Sequence, residues 1–341
     1  MTNIYIDPSS HVFLNNVLFS KDGPYNRDNS LLGWRTLKEY CLSKGMMLNT
    51  IDQRNAANAD PQDIYVSFDH KFLLRRLYWK RKSKTYPLQV PGKFAKKILF
   101  QFEPPNVMPE IHYFKNHVTH IYDKVFFTWK TGIPHTSHFL FYQIGEGVLP
   151  QYWQKKNRNF LCLINSNRRV LFRHHQLLTE RIRALLYFAK TSDIDLYGFG
   201  WNEHPLFPYW FKKAAMQGIY KGSIGNKYEK LAEYTFAVAF ENCSLPGYIT
   251  EKMFDCLYTG TVPIYLGAPD IEKYVPTDCF IDMRKFKNYE ELRLFLKSLT
   301  PEQIERYKEA GHRFLESEAY KPFTKEQFAK TFVEAVIGNQ T

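Results

Sequence analysis

Short apolar runs alternate with longer amphipathic stretches along the whole chain. Residues 4–6 (IYI), 64–68 (IYVSF), 98–102 (ILFQF) and 124–129 (KVFFTW) are rich in β-branched and aromatic side chains and lie between polar segments, which predicts strands. Residues 33–44 space their apolar positions at helical intervals. A second series follows, with strands at 160–164, 195–197, 236–240 and 262–266 and helices over 178–190, 251–258 and 289–298. Two more helices, 302–317 and 325–336, close the pattern. Strands alternating with helices predict parallel sheets covered on both faces. Two such series predict two α/β domains, 1–155 and 156–320, with a terminal helix in 321–341 crossing back to the first. No internal repeat or low-complexity segment interrupts the pattern.

Composition narrows the partners. The 341 residues carry a net charge of +12 and 17% aromatic side chains. That balance favours anionic partners: a nucleotide diphosphate, nucleic acid or an acidic membrane surface. The five cysteines, Cys41, Cys162, Cys243, Cys256 and Cys279, are scattered, and neither they nor the histidines have metal-ligand spacing. Buried free thiols in a reducing compartment are expected. The start, MTNIYIDPSS, lacks the basic and apolar segments of a signal peptide, and no apolar run reaches the roughly 18 residues of a membrane span. The expectation is a soluble cytoplasmic protein, peripheral at the inner face of the plasma membrane.

The densest chemistry lies in residues 240–269, FENCSLPGYITEKMFDCLYTGTVPIYLGAP. Glu241, Asn242, Tyr248, Glu251 and Lys252 fall between the apolar runs FAVAF and TVPIYLG. Thr250 stands where it can cap a helix whose buried face carries Met253, Phe254 and Leu257. The polar residues therefore sit at a strand end and a helix start, where parallel sheets bind ligands. A lysine in a first helical turn opposes the helix dipole, and a bound anion such as phosphate would resolve that placement.

FEN, then GYITEK, then VPIYLG resembles the donor-binding signature of the family 10 glycosyltransferases, the α1,3/4-fucosyltransferases, in their soluble bacterial form. The likeness continues through Tyr274-Val275-Pro276 and Cys279-Phe280-Ile281, with Cys279 where serine is usual. It implies a GT-B fold: two Rossmann-like domains facing each other across a cleft. It also implies roles. Lys252 and one arginine of the helix LLTERIRALLYFAK would hold the pyrophosphate. Arg181 is favoured over Arg183, and on a helix the two point about 200° apart. Glu251 would accept hydrogen bonds from fucose hydroxyls, and Asn242 and Tyr248 would line the donor site. Asn167, in a Ser-Asn pair after the 160–164 strand, and Lys227, ahead of the 236–240 strand, are weaker donor-site candidates. Glu103 ends the run ILFQF and is presented by Pro104-Pro105. It would be the general base, with burial raising its pKa.

The resemblance thus implies an inverting α1,3-fucosyltransferase that moves fucose from GDP-fucose to an N-acetylglucosamine or glucose hydroxyl. The acceptor would be a surface glycan such as lipopolysaccharide or an N-acetyllactosamine-type chain. No metal is required, with Mn²⁺ or Mg²⁺ at most a stimulant. Two alternatives stand beside it. One is transfer from another nucleotide sugar. The other is a basic nucleic-acid-binding protein, because residues 71–97 interleave ten Lys/Arg with Phe72, Tyr78, Trp79, Tyr86 and Phe94. That stretch also reads as a solvated loop, an acceptor groove or a patch for an anionic membrane. The nucleic-acid reading leaves the Glu241–Lys252 cluster without a purpose, and no RRM-like or zinc pattern accompanies it.

Overall fold

The computed structural model describes residues 2–26, 29–55, 57–82, 93–145, 147–167, 175–202 and 213–338, apart from the side chains of 73–75 and 213. His174 and residues 83–92 of the basic stretch lie outside the described residues. By packing, the chain divides into two units: Met1–Ile144 with Pro322–Thr341, and Gly145–Lys321.

In the first unit, β1 (Thr2–Asp7), β2 (Met46–Thr50), β3 (Ile64–Phe68), β4 (Lys96–Gln101), β5 (Lys124–Phe127) and β6 (Thr136–His138) form one sheet in the order β2-β1-β3-β4-β5-β6. All its pairings are parallel. Helices α1 (Leu32–Ser43), α2 (Leu73–Lys82) and α3 (Pro109–Ile121) lie between strands. A parallel sheet is covered on both faces, so every residue of β3 is buried. The chain's last helix, α11 (Lys325–Ile337), belongs to this unit. Its Phe328, Ala329, Phe332 and Val333 join Ile4, Leu37, Val66 and Phe100 in one core, and Thr324 caps it by accepting the Gln327 N–H.

In the second unit, α4 (Pro150–Trp153) precedes β7 (Asn159–Ile164), α5 (Leu178–Ala189), β8 (Ile194–Tyr197), α6 (Lys213–Ile219), α7 (Lys227–Leu231), β9 (Tyr234–Phe240), α8 (Glu251–Thr259), β10 (Val262–Leu266), β11 (Ile281–Asp282), α9 (Tyr289–Ser298) and α10 (Pro301–Leu315). The sheet is again wholly parallel, in the order β11-β10-β9-β7-β8. Gly260 ends α8 at φ +65°, a left-handed conformation that glycine takes without strain, and its N–H closes back on Cys256 and Leu257. All five cysteines are free and buried.

The division after Ile144 falls earlier than the boundary near residue 155 read from the sequence. Residues 147–158 belong to the second unit. Leu149 donates its N–H to Tyr258 O at 2.8 Å, and the Arg158 guanidinium donates to the carbonyls of Thr259 and Gly260, each at 2.8 Å.

The strand order of each sheet reverses once: between β1 and β3 in the first unit, and between β7 and β9 in the second. Ligands of open parallel sheets dock at the carboxyl ends of strands beside such reversals. Glu103 follows β4, one strand from the first reversal. Glu241 and Asn242 follow β9, at the second.

Candidate active site

The second unit concentrates ionic groups where β9 ends and α8 begins. Glu241 is fully buried. Its Oε1 accepts the Thr250 backbone N–H at 2.7 Å, and its Oε2 accepts the Thr250 hydroxyl at 2.8 Å and the Lys252 ammonium at 3.2 Å. Gly267 makes room for it: a Cβ there would come within 2.6 Å of Glu241 Cγ.

Thr250 does occupy the N-cap position of α8, but its side chain makes no cap bond. The hydroxyl is spent on Glu241 and in turn accepts from the Lys252 ammonium at 2.7 Å. The unfavourable placement of Lys252 at the helix start is met within the protein as well. Its ammonium already has the carboxylates of Glu241 and of Glu251, the latter at 3.3 Å. The Lys252 side chain is 16% exposed and that of Glu251 43%, so the pair opens outward while Glu241 anchors it from within. Burial would raise the Glu251 carboxyl, but the Lys252 and Lys227 ammonium groups outweigh it and hold it down at about 2.

Lys227 opens α7, which Asn226 caps through the Glu229 N–H. Its ammonium meets Asp255 Oδ2 of α8 at 2.5 Å. Burial pulls Lys227 down, yet Asp255 and Glu251 hold it above the ordinary lysine value. Burial raises the Asp255 carboxyl, against the pull of Lys227.

Arg181 on α5 is buried and reaches the end of β9. Its Nε donates to Phe240 O at 3.0 Å and its Nη2 to Asn242 Oδ1 at 3.0 Å. Burial lowers its guanidinium to about 10, opposed by Glu241, Tyr248 and Glu251, which face it. Arg183 lies on the solvent side of the same helix and pairs with Glu180. Arg181, Asn242, Tyr248, Glu251, Lys252 and Lys227 therefore form one neighbourhood. Asn167 stands apart: its amide holds Gly200 O at 3.1 Å and its N–H bonds Phe199 O, tying the segment after β7 to that after β8. Glu103 belongs to the first unit, partly buried in the turn after β4.

The sequence alone assigns Glu241 no role within the cluster. A glutamate directly after the apolar strand FAVAF cannot escape the sheet edge, and a lysine in the following first helical turn is its natural partner; that was the available signal. Chemically, the cluster offers cations beside a helix N-terminus, an arrangement suited to phosphate oxygens, and an ionised carboxylate suited to sugar hydroxyls.

Comparison with known proteins agrees with this chemistry. The family model described as glycosyltransferase family 10 (fucosyltransferase), C-terminal part, matches residues 154–329. The chain is 38% identical over 77 residues to the α-(1,3)-fucosyltransferase of Helicobacter pylori, a stretch covering 23% of this chain and 16% of that protein. It is 38% identical over 74 residues to the α-(1,4)-fucosyltransferase of Arabidopsis thaliana, covering 22% and 18%. The matched stretches thus span under a fifth of either relative. A crystal structure of an α1,3-fucosyltransferase with GDP-fucose shares the fold over 100% of this chain and 91% of its own, at a TM-score of 0.53 and 15% identity. The fold is GT-B, with two parallel-sheet Rossmann-like units. With its family model covering more than half of its length, the chain belongs to glycosyltransferase family 10, the fucosyltransferases.

Proposed function

We propose that this protein is an inverting α1,3-fucosyltransferase using GDP-fucose, with an N-acetylglucosamine or glucose unit of a surface glycan as acceptor. The observation that carries the reading is the Glu241–Thr250–Lys252 cluster at the β9–α8 junction, inside the matched family region. In the reaction, the acceptor oxygen bonds to the fucose anomeric carbon as the bond from that carbon to the β-phosphate oxygen breaks. The electron pair leaves with GDP, and the acceptor proton passes to the Glu103 carboxylate. Lys252 and Arg181 stabilise charge growing on the diphosphate. Glu251, ionised throughout the neutral range, orients fucose hydroxyls. Asn242 and Tyr248 shape the pocket wall, with Lys227 supporting Glu251 from behind. Asn167 acts more remotely, by fixing the 198–200 segment. No step draws on a metal; Mn²⁺ or Mg²⁺ would act as a stimulant.

The buried free thiols suit a reducing, cytoplasmic setting. The exposed Leu77 and Tyr78 of α2, followed by Arg81 and Lys82, suit contact with an anionic membrane bearing the acceptor.

Ligand-dependent thermal unfolding tests the donor. GDP and GDP-fucose are expected to raise the midpoint by binding the native state, and UDP-galactose is expected to leave it nearly unchanged. Equal shifts with UDP sugars, or none with GDP, would overturn the donor assignment.

A further inference from the structure

Both backbone polar groups of Glu103 are held by buried side chains. Its N–H donates to Asp69 Oδ1 at 2.8 Å, and its carbonyl accepts Gln101 Nε2 at 2.8 Å. The same Asp69 oxygen accepts the Phe102 N–H at 2.8 Å and Gln101 Nε2 at 3.0 Å. Gln101 Oε1 accepts the His70 N–H at 2.9 Å, so one amide side chain laces the end of β3 to the end of β4. Asp69 is itself fixed. Its N–H bonds Phe100 O at 2.8 Å, and its carbonyl accepts the Ser67 hydroxyl at 2.8 Å and the Lys71 ammonium at 2.5 Å. Asp69 holds a left-handed backbone at φ +62°, which glycine adopts freely and asparagine and aspartate adopt more readily than other residues. Beyond Glu103, Pro104 has no N–H to place and a φ fixed by its ring.

We infer that Asp69 is a positioning residue for the transfer: its carboxylate, with Gln101, clasps the backbone at Phe102 and Glu103 and so fixes where the Glu103 side chain starts. The inference rests on the reading of Glu103 as the base. The clasp commits buried polar groups to the main chain of Phe102 and Glu103, and it gives a reason for an aspartate at a left-handed position that glycine also fits.

The test compares Asp69→Gly with Asp69→Asn. Glycine takes φ +62° freely and removes only the carboxylate; asparagine keeps an acceptor oxygen and tolerates the conformation. In Asp69→Gly, kcat is expected to fall roughly 10²-fold, the scale of a misplaced reacting group. GDP affinity and acceptor KM should change little, and the Phe102 and Glu103 amides should exchange faster with solvent. Asp69→Asn is expected to restore most of kcat. Unchanged kcat and amide exchange in Asp69→Gly would overturn the clasp. Equal loss in both variants would also overturn it, since the negative charge and not the acceptor geometry would then matter. Gln101→Leu, which removes the bond to the Glu103 carbonyl together with those to Asp69 and the His70 N–H, should lower kcat in the same direction and serves if Asp69→Gly fails to fold. Glu103→Gln is run alongside: retained turnover there removes the base, while the amide exchange of Asp69→Gly still reads the clasp.

Discussion

The Lys252 ammonium lies 3.2 Å from Glu241 Oε2, which ties the first turn of α8 to the end of β9. Thr250 closes the triangle, donating to Glu241 and accepting from Lys252. A flexible lysine at a helix start loses much of its rotamer freedom when a ligand arrives. Here that ordering is done in advance, by a carboxylate that has no exposure of its own.

Glu241→Gln should therefore weaken GDP binding while the fold survives, because the amide can still accept from Thr250 but no longer balances Lys252. Glu241→Ala should in addition lower unfolding free energy by about 1–3 kcal/mol, the cost of orphaning buried donors. Calorimetric titration with GDP and denaturant unfolding separate the two effects. Unaltered GDP affinity in Glu241→Gln would mean that the tether is dispensable.

Lys252→Ala and Arg181→Ala should each cost about 2–4 kcal/mol of transition-state stabilisation. They should differ in stability. Arg181 is buried against Phe240 O and Asn242 Oδ1, so its removal also lowers the thermal midpoint, whereas the partly exposed Lys252 is removed at less structural cost. Arg183→Ala, on the solvent side with Glu180, should be near neutral in both assays. A damaging Arg183→Ala would reverse the assignment of the two arginines.

Glu103→Gln should reduce acceptor fucosylation by roughly 10²–10⁴ with GDP affinity retained. Glu110, in the first turn of α3, provides the matched control. Loss of GDP binding in Glu103→Gln would make that residue structural.

Acid should act on Glu251 late. Its carboxyl is held at about 2 in the folded chain, below the value of about 4.3 for a free glutamate. A depressed folded pKa contributes stability that is fully present above the free value and is lost as pH falls toward the folded one. The thermal midpoints of the wild type and Glu251→Gln should therefore differ by a constant amount from neutral pH to about 5, begin to approach each other below about 4 and meet toward pH 2. A difference that changes between pH 6 and 8 would contradict the ionic pairing.

The strands and helices bearing the β9–α8 site were legible in the sequence because buried parallel strands leave apolar runs and helices leave periodic ones. FAVAF and VPIYL both became strands, and α8 runs Glu251–Thr259. Less was legible where patterning is weak. MMLNT and TSH, which form β2 and β6, carry too few β-branched residues to stand out, and LLRRLYWKRK reads as a charged loop until Trp79 is seen buried. The site residues show the same division. Residue types at the strand end announced chemistry. The tethering by Glu241 depends on how the chain turns from the end of β9 into α8, and the clasp by Asp69 on which donors the ends of β3 and β4 bring together, so neither was announced.

The central claim is fucosyl transfer from GDP-fucose. Incubation of a glycan array with GDP-fucose or UDP-galactose, followed by mass spectrometry, tests it most directly. One fucose is expected to be added to N-acetylglucosamine- or glucose-bearing glycans from GDP-fucose only, with addition abolished or strongly reduced in Lys252→Ala. Transfer from UDP-galactose, or fucosylation undiminished in Lys252→Ala, would contradict it.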